Sequence, residues 1–171
     1  MQSSATLKIE WKGDGYMQPA IELKSVSKKY QEFMLRDVSF SLPSGSILGL
    51  IGENGAGKTT TLKLILNLIR RDSGQIRLMG LDNIKNEKAV KEQMGVVLDE
   101  SYFDPQLTPR EISAVMKCIF SRWDGAAFSR WLDRFSISEN KRVKELSKGM
   151  KMKLSIATAL SHSPRLLVMD E

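Results

Sequence analysis

The chain has 171 residues, with 26 Lys and Arg against 20 Asp and Glu, and 42% apolar side chains. That length suits one domain with a core of its own, and the +6 charge lies in short pairs such as Lys28-Lys29 and Arg70-Arg71 rather than in runs, so no nucleic-acid partner is expected. One cysteine excludes an internal disulfide, no apolar run approaches a membrane span, and no signal-peptide core is visible, so the cytosol is the expected compartment.

Residues 1–18 are polar and aperiodic and read as a disordered leader or an upstream extension, with the domain over 19–171. Ile21 to Val26 and Leu35 to Leu42 alternate apolar and polar side chains, as half-buried strands do. Pro43-Ser44-Gly45-Ser46 is a turn feeding a buried strand, Ile47 to Ile51. A helix from Lys58 carries Leu62, Ile65, Leu66 and Ile69 at helical spacing, and Asp72-Ser73-Gly74 is expected to end it. Gln75 to Gly80 is a strand and turn, Glu87 to Glu92 a short helix, and Met94 to Leu98 a strand ending in Asp99-Glu100. Thr108-Pro109-Arg110-Glu111 is a capping box with Pro at the first helical position. Ile112, Val115, Met116, Ile119 and Phe120 form one helical stripe, and Phe128, Trp131, Leu132 and Phe135 a second, which suggests a helical lobe over about 104–147. Cys118, on the first of these helices, is expected to be a buried, inert thiol. Leu146-Ser147-Lys148-Gly149-Met150 opens a further helix, and Ser161-His162-Ser163-Pro164 breaks it, with His162 read as a surface residue. Arg165 to Met169 is an apolar strand ending in Asp170-Glu171.

The chemistry gathers at Gly52-Glu53-Asn54-Gly55-Ala56-Gly57-Lys58-Thr59-Thr60, which meets the pattern G-x-x-x-x-G-K-[ST] between an apolar run and a helix. Gly52, Gly55 and Gly57 are expected to take positive φ and let the backbone approach a ligand. The loop amides, from Gly52 and Asn54 through Ala56 to Thr60, then form a concave anion site at a helix N-terminus. Lys58 places an ammonium among β- and γ-phosphate oxygens, and the Thr59 hydroxyl suits Mg²⁺. ATP and Mg²⁺ are therefore the expected ligands. The strand ending in Asp170 can bring a carboxylate to the same metal, and Glu171 is positioned to accept a proton from, or to orient, the attacking water.

With Leu146-Ser147-Lys148-Gly149 between them, these motifs resemble the ATP-binding subunit of ABC transporters, over roughly residues 20–171. The resemblance implies an α/β P-loop NTPase core with an antiparallel β patch and an inserted helical subdomain. It implies that Tyr30 stacks on adenine. It implies that Ser147 and Gly149 touch the γ-phosphate held by a second ATP-binding subunit, with two such subunits closing on ATP to drive transmembrane permease subunits from the inner face of the membrane. Chemically, Ser147 offers a hydroxyl, Gly149 close approach and the helix N-terminus a favourable field for an anion.

The sequence departs from the family pattern at several places. Asp99 stands where the family usually has Gln, and as a carboxylate it can face Mg²⁺ or the water. Lys148 and Met150 replace the usual Gly and Gln; Lys148 either adds a cation near phosphate or hinders close approach. The family's switch histidine lies on a later strand, between the phosphate-loop strand and the strand of Asp170, and that strand is not in this sequence. Buried backbone groups left unpaired cost about 1–3 kcal/mol each, against about 5–15 kcal/mol of stability for a domain. The expectation is thus a fold incomplete at the C-terminus, completed by another chain or belonging to a longer one, with little or no hydrolysis by these residues alone. The spacing and the Asp99-Glu100 pair look most like the drug- and peptide-exporter branch. Two other readings stay open: a soluble ATPase of this type acting on ribosome or DNA, and a nucleotide-binding fragment without turnover.

Overall fold

Alternating side chains build the first two strands. In the computed structural model, which describes residues 18–31, 33–53, 55–98 and 103–170, β1 (Ile21–Lys29) and β2 (Met34–Leu42) run antiparallel. The described chain divides into two units, one up to Val90 and one from Lys91, and each has its own core.

In the first unit Ile21 pairs with Leu42, Leu23 with Phe40 and Val26 with Val38, and all six side chains are buried. The ladder is irregular on both sides of Val26, where Ser25 and Asp37 take φ of 47° and 49°. Serine hydroxyls satisfy the amides this displaces: Ser25 N–H donates to Ser39 Oγ at 2.8 Å and Asp37 N–H to Ser27 Oγ at 3.0 Å. On the other side of β1 lies β3 (Ser73–Leu78), again antiparallel, and β4 (Leu81–Asp82) completes the order β2-β1-β3-β4.

The helix α1 (Lys58–Ile65) ends well before Asp72. Asn67 adopts a left-handed φ of 54°, its N–H reaches Leu64 O at 3.2 Å, and Leu68 N–H reaches Lys63 O at 2.9 Å. This is a Schellman stop, for which Asn is the usual substitute for Gly. The buried side of α1 is Thr61, Leu64 and Ile65, followed by Leu66, whereas Leu62 and Ile69 are only half-buried. The expected strand Ile47 to Ile51 does not form. The run joins neither sheet, and Ile47 and Ile51 are 99% and 88% exposed. An apolar run becomes a strand only where a neighbouring strand supplies its hydrogen bonds, and among the described residues none does.

In the second unit β5 (Met94–Val97) and β6 (Leu166–Met169) pair in parallel, Met94 opposite Leu166 through Val97 opposite Met169. Between α2 (Glu87–Lys91), which lies at the boundary of the two units, and the close of the chain come α3 (Pro109–Ile119), α4 (Gly125–Arg134), a 3-10 turn at Val143–Glu145, and α5 (Lys148–Leu160). Both halves of the Thr108–Glu111 capping box form. Asp124 caps α4 by accepting from Ala127 N–H at 2.9 Å. Ile112, Phe128, Leu132, Val143, Leu146 and Leu154 make the core of this unit.

Three expectations fail here. Val115 and Ile119 are 46% and 56% exposed, and Cys118 is exposed as well. At 100° per residue the stripe on α3 is about 140° wide, and only its Ile112–Met116–Phe120 edge turns inward. His162, read as a surface residue, is buried. Its ring stacks on Phe120 with centroids 4.0 Å apart, and its Nε2 lies 3.0 Å from Met94 O, where it must carry a proton because a carbonyl only accepts. Among the described residues no helix is long and apolar enough to cross a membrane.

Candidate functional site

The loop before α1 rests on β2. Gly55 and Gly57 take φ of 85° and 90°, and a Cβ on Gly57 would lie 2.9 Å from Leu35 Cδ1 and 3.1 Å from Phe33 Cζ. The positive φ is what makes glycine necessary there, and Phe33 and Leu35 form the floor beneath it. The alternation over 35–42 indicated a strand but gave no signal of what would lie on it. Gly52 does not take positive φ, contrary to expectation; its constraint is Ala56, whose Cβ would stand 3.1 Å from an added Cβ. A shallow hollow, open to solvent, lies beside the loop and is lined by Leu35, Val38, Phe40, Leu50 and Ile51 among others.

Ala56 N–H donates to Glu53 O at 3.1 Å, and Thr61 N–H to Gly57 O at 2.8 Å. Since Gly57 is the cap, the amides of Lys58, Thr59 and Thr60 precede the first intrahelical bond and point out of the helix end. Lys58 Nζ donates to Gly52 O at 2.6 Å and Glu53 O at 3.0 Å, so the ammonium spans the loop it belongs to. Thr59 is exposed, Thr60 is half-buried, and Thr61 turns its hydroxyl to Gly57 O at 2.9 Å. Several outward amides, one ammonium and an exposed hydroxyl are the donors a Mg²⁺-polyphosphate requires. Asn54 lies outside the described residues. Tyr30, in the same unit, is 43% exposed, with Lys28 Nζ 5.7 Å from its ring centroid.

The remaining candidates belong to the second unit. Ser147 caps α5 and accepts from Met150 N–H at 3.3 Å. Ser147, Lys148 and Gly149 are exposed, and an added Cβ on Gly149 would meet nothing within 4 Å. Asp170 follows β6; its N–H donates to Val97 O at 2.9 Å, which holds its backbone at the C-terminal end of the parallel pair. Asp99 and Glu171 lie outside the described residues. No cluster of three or more His, Cys, Asp or Glu side chains occurs among the described residues. A magnesium bound through one hydroxyl, one or two carboxylates, phosphate and water does not need one.

Residues 35–171 match the family model for ABC transporters. The chain belongs to that family. It is 34% identical over 152 residues to the ABC transporter ATP-binding protein YtrB of Bacillus subtilis (strain 168), covering 88% of this chain and 52% of that one. It is 39% identical over 162 residues to the Nod factor export ATP-binding protein I of Paraburkholderia xenovorans (strain LB400), covering 89% of this chain and 52% of that relative. The chain therefore spans about half the length of these relatives. Among solved structures, an ATP-binding subunit of an ABC transporter superposes with a TM-score of 0.80 at 28% identity, over 89% of this chain and 66% of that one. A dimeric ATP-binding cassette in a post-hydrolysis state, bound to ADP and Pi, shares the fold with a TM-score of 0.74 at 22% identity, over 88% and 73%. The fold is that of the ABC ATPases, of the P-loop NTPase class, with an antiparallel sheet in its first unit.

Proposed function

We propose that this chain is the nucleotide-handling part of an ABC transporter, binding Mg-ATP on the loop at residues 52–60. The observation that carries the proposal is the end of α1, where three amides outside the helical ladder stand beside Lys58 and the exposed Thr59. Lys58 would exchange the carbonyls of Gly52 and Glu53 for phosphate oxygens, and Asn54 would add its amide. Thr59, Asp170 and Asp99 would hold the metal. Tyr30 would stack on adenine, and Glu171 would orient or deprotonate water. Bound Mg²⁺ would neutralise charge on the phosphates.

The exposed Ser147 cap and Gly149 suit contact with nucleotide on a second copy or a related subunit. Hydrolysis coupled to transport would then follow from closing and opening of the pair against transmembrane subunits, with the protein lying on the inner face of the membrane. The helical lobe over about 104–147, in a domain spanning 19–171, would meet those subunits. The name of the Nod factor export relative supports an export direction.

Loss of Mg-ATP binding in Lys58→Ala, by at least about a hundredfold, is the expected result of calorimetric titration, since a charge-assisted contact from an ammonium to phosphate is among the strongest hydrogen bonds available. Equal affinity in variant and parent would remove the assignment of the loop.

A further inference from the structure

Asn83 belongs to none of the motifs, yet it is a polar side chain only 2% exposed. It follows β4, and its amide points to the far end of α1. Nδ2 donates to Leu64 O at 2.8 Å and Ile65 O at 3.2 Å, the last two carbonyls of that helix. Oδ1 accepts from Arg71 Nη1 at 2.7 Å. Arg71 is itself fixed, donating from Nε to Gly74 O at 3.1 Å and from Nη2 to Asp82 Oδ2 at 3.0 Å. One end of α1 is therefore fastened to the β3–β4 corner, and the other end carries Lys58 and Thr59.

The helix has eight residues, so its length is about 12 Å. A tilt of about 5° over that length moves the opposite end by about 1 Å, a displacement that can cost as much as about a hundredfold where reacting groups are held in place. We propose that Asn83 is a positioning residue for the phosphate site, setting the axis of α1 and thereby the aim of its N-terminal amides, Lys58 and Thr59. This role rests on the reading that the loop binds Mg-ATP. The amide is the chemistry the place requires, because it must donate towards carbonyls and accept from a guanidinium at once. Aspartate can serve only the guanidinium, and would set a carboxylate oxygen against two carbonyl oxygens.

The test compares Mg-ATP dissociation constants of the full chain and its variants, each measured well below its own melting midpoint. Asn83→Ala is expected to bind about tenfold more weakly and Asn83→Asp at least as weakly, although the latter keeps its partner Arg71. Val90→Ala, which removes buried methyl groups from α2 and none of the hydrogen bonds at the end of α1, serves as the stability control and is expected to keep parental affinity. Parental affinity in both folded Asn83 variants, or an equal loss in Val90→Ala, would overturn the proposal. Should the Asn83 variants not fold, Arg71→Lys keeps a cation near Asp82 and removes the fork that holds Oδ1; a loss of a few fold is expected, and unchanged affinity overturns the role. Failure of the parent chain to bind Mg-ATP is a separate outcome, which removes the reading of the loop and leaves Asn83 no site to position.

Discussion

His162 has a polar ring in an apolar place, with one nitrogen given to a strand carbonyl and one face given to Phe120. Its buried Nδ1 has no hydrogen-bond partner among the described residues. Truncation would empty a packed site and leave Met94 O without its side-chain donor. His162→Ala is therefore expected to lower unfolding stability by about 2–4 kcal/mol in denaturant titrations, and a change under about 0.5 kcal/mol, typical of surface positions, would show that the stacking contributes little. The burial of His162 was not legible in the sequence because its partner is 68 positions away and the local string Ser161-His162-Ser163-Pro164 looks like any polar turn. Cys118 misleads in the opposite sense: its apolar neighbours Val115 and Ile119 suggest a buried face, and that face of α3 is exposed. At these single residues, side-chain type was a poor guide to location.

Elements were legible where their signals are local. The α3 start is written in Thr108-Pro109-Arg110-Glu111, and it forms as written because both capping bonds lie within four residues. The end of α1 was equally local, in Asn67, but an apolar stripe running on to Ile69 masked it. The strand at 47–51 was not decidable from its own residues, since a strand exists only with a partner. The β3–β4 corner illustrates how an element is closed by side chains. Burial pushes the Asp82 carboxyl up, but N–H donation from Lys85 and Ile84 and the charge and hydrogen bond of Arg71 outweigh it, so the group sits below its ordinary value. A carboxyl depressed in the folded state contributes stability that is present above its unfolded pKa and lost as pH falls through the folded one. Asp82→Asn should therefore be less stable than the parent near pH 6, and the difference should shrink below about pH 4, where the unfolded group is protonated. Urea midpoints at the two pH values check this, and a constant gap would mean that the carboxylate charge is not what holds the corner.

For the whole molecule, the loop at 52–60 and the Ser147 cap belong to different units of the chain, and the proposal asks them to act on one nucleotide from two different copies. That makes separable demands. Nucleotide affinity of a dilute, single copy depends on the loop, so Ser147→Arg should leave Mg-ATP binding within about twofold of the parent, a difference of about 0.4 kcal/mol. Closure of the pair should fail, because a long cation replaces the small hydroxyl at an exposed helix start that must approach phosphate closely. Phosphate release by the hydrolysing protein should fall at least about tenfold, equivalent to 1.4 kcal/mol of barrier. Mixing supplies the decisive arm. A pair made of one Lys58→Ala copy and one Ser147→Arg copy contains one composite site with both residues intact and one with neither. Each variant alone should be inactive, and the mixture should regain turnover, measured as phosphate release against total protein. A mixture as silent as its components would mean that Lys58 and Ser147 serve the same copy, and the two-copy reading of Ser147 would have to be abandoned while that of the loop stood.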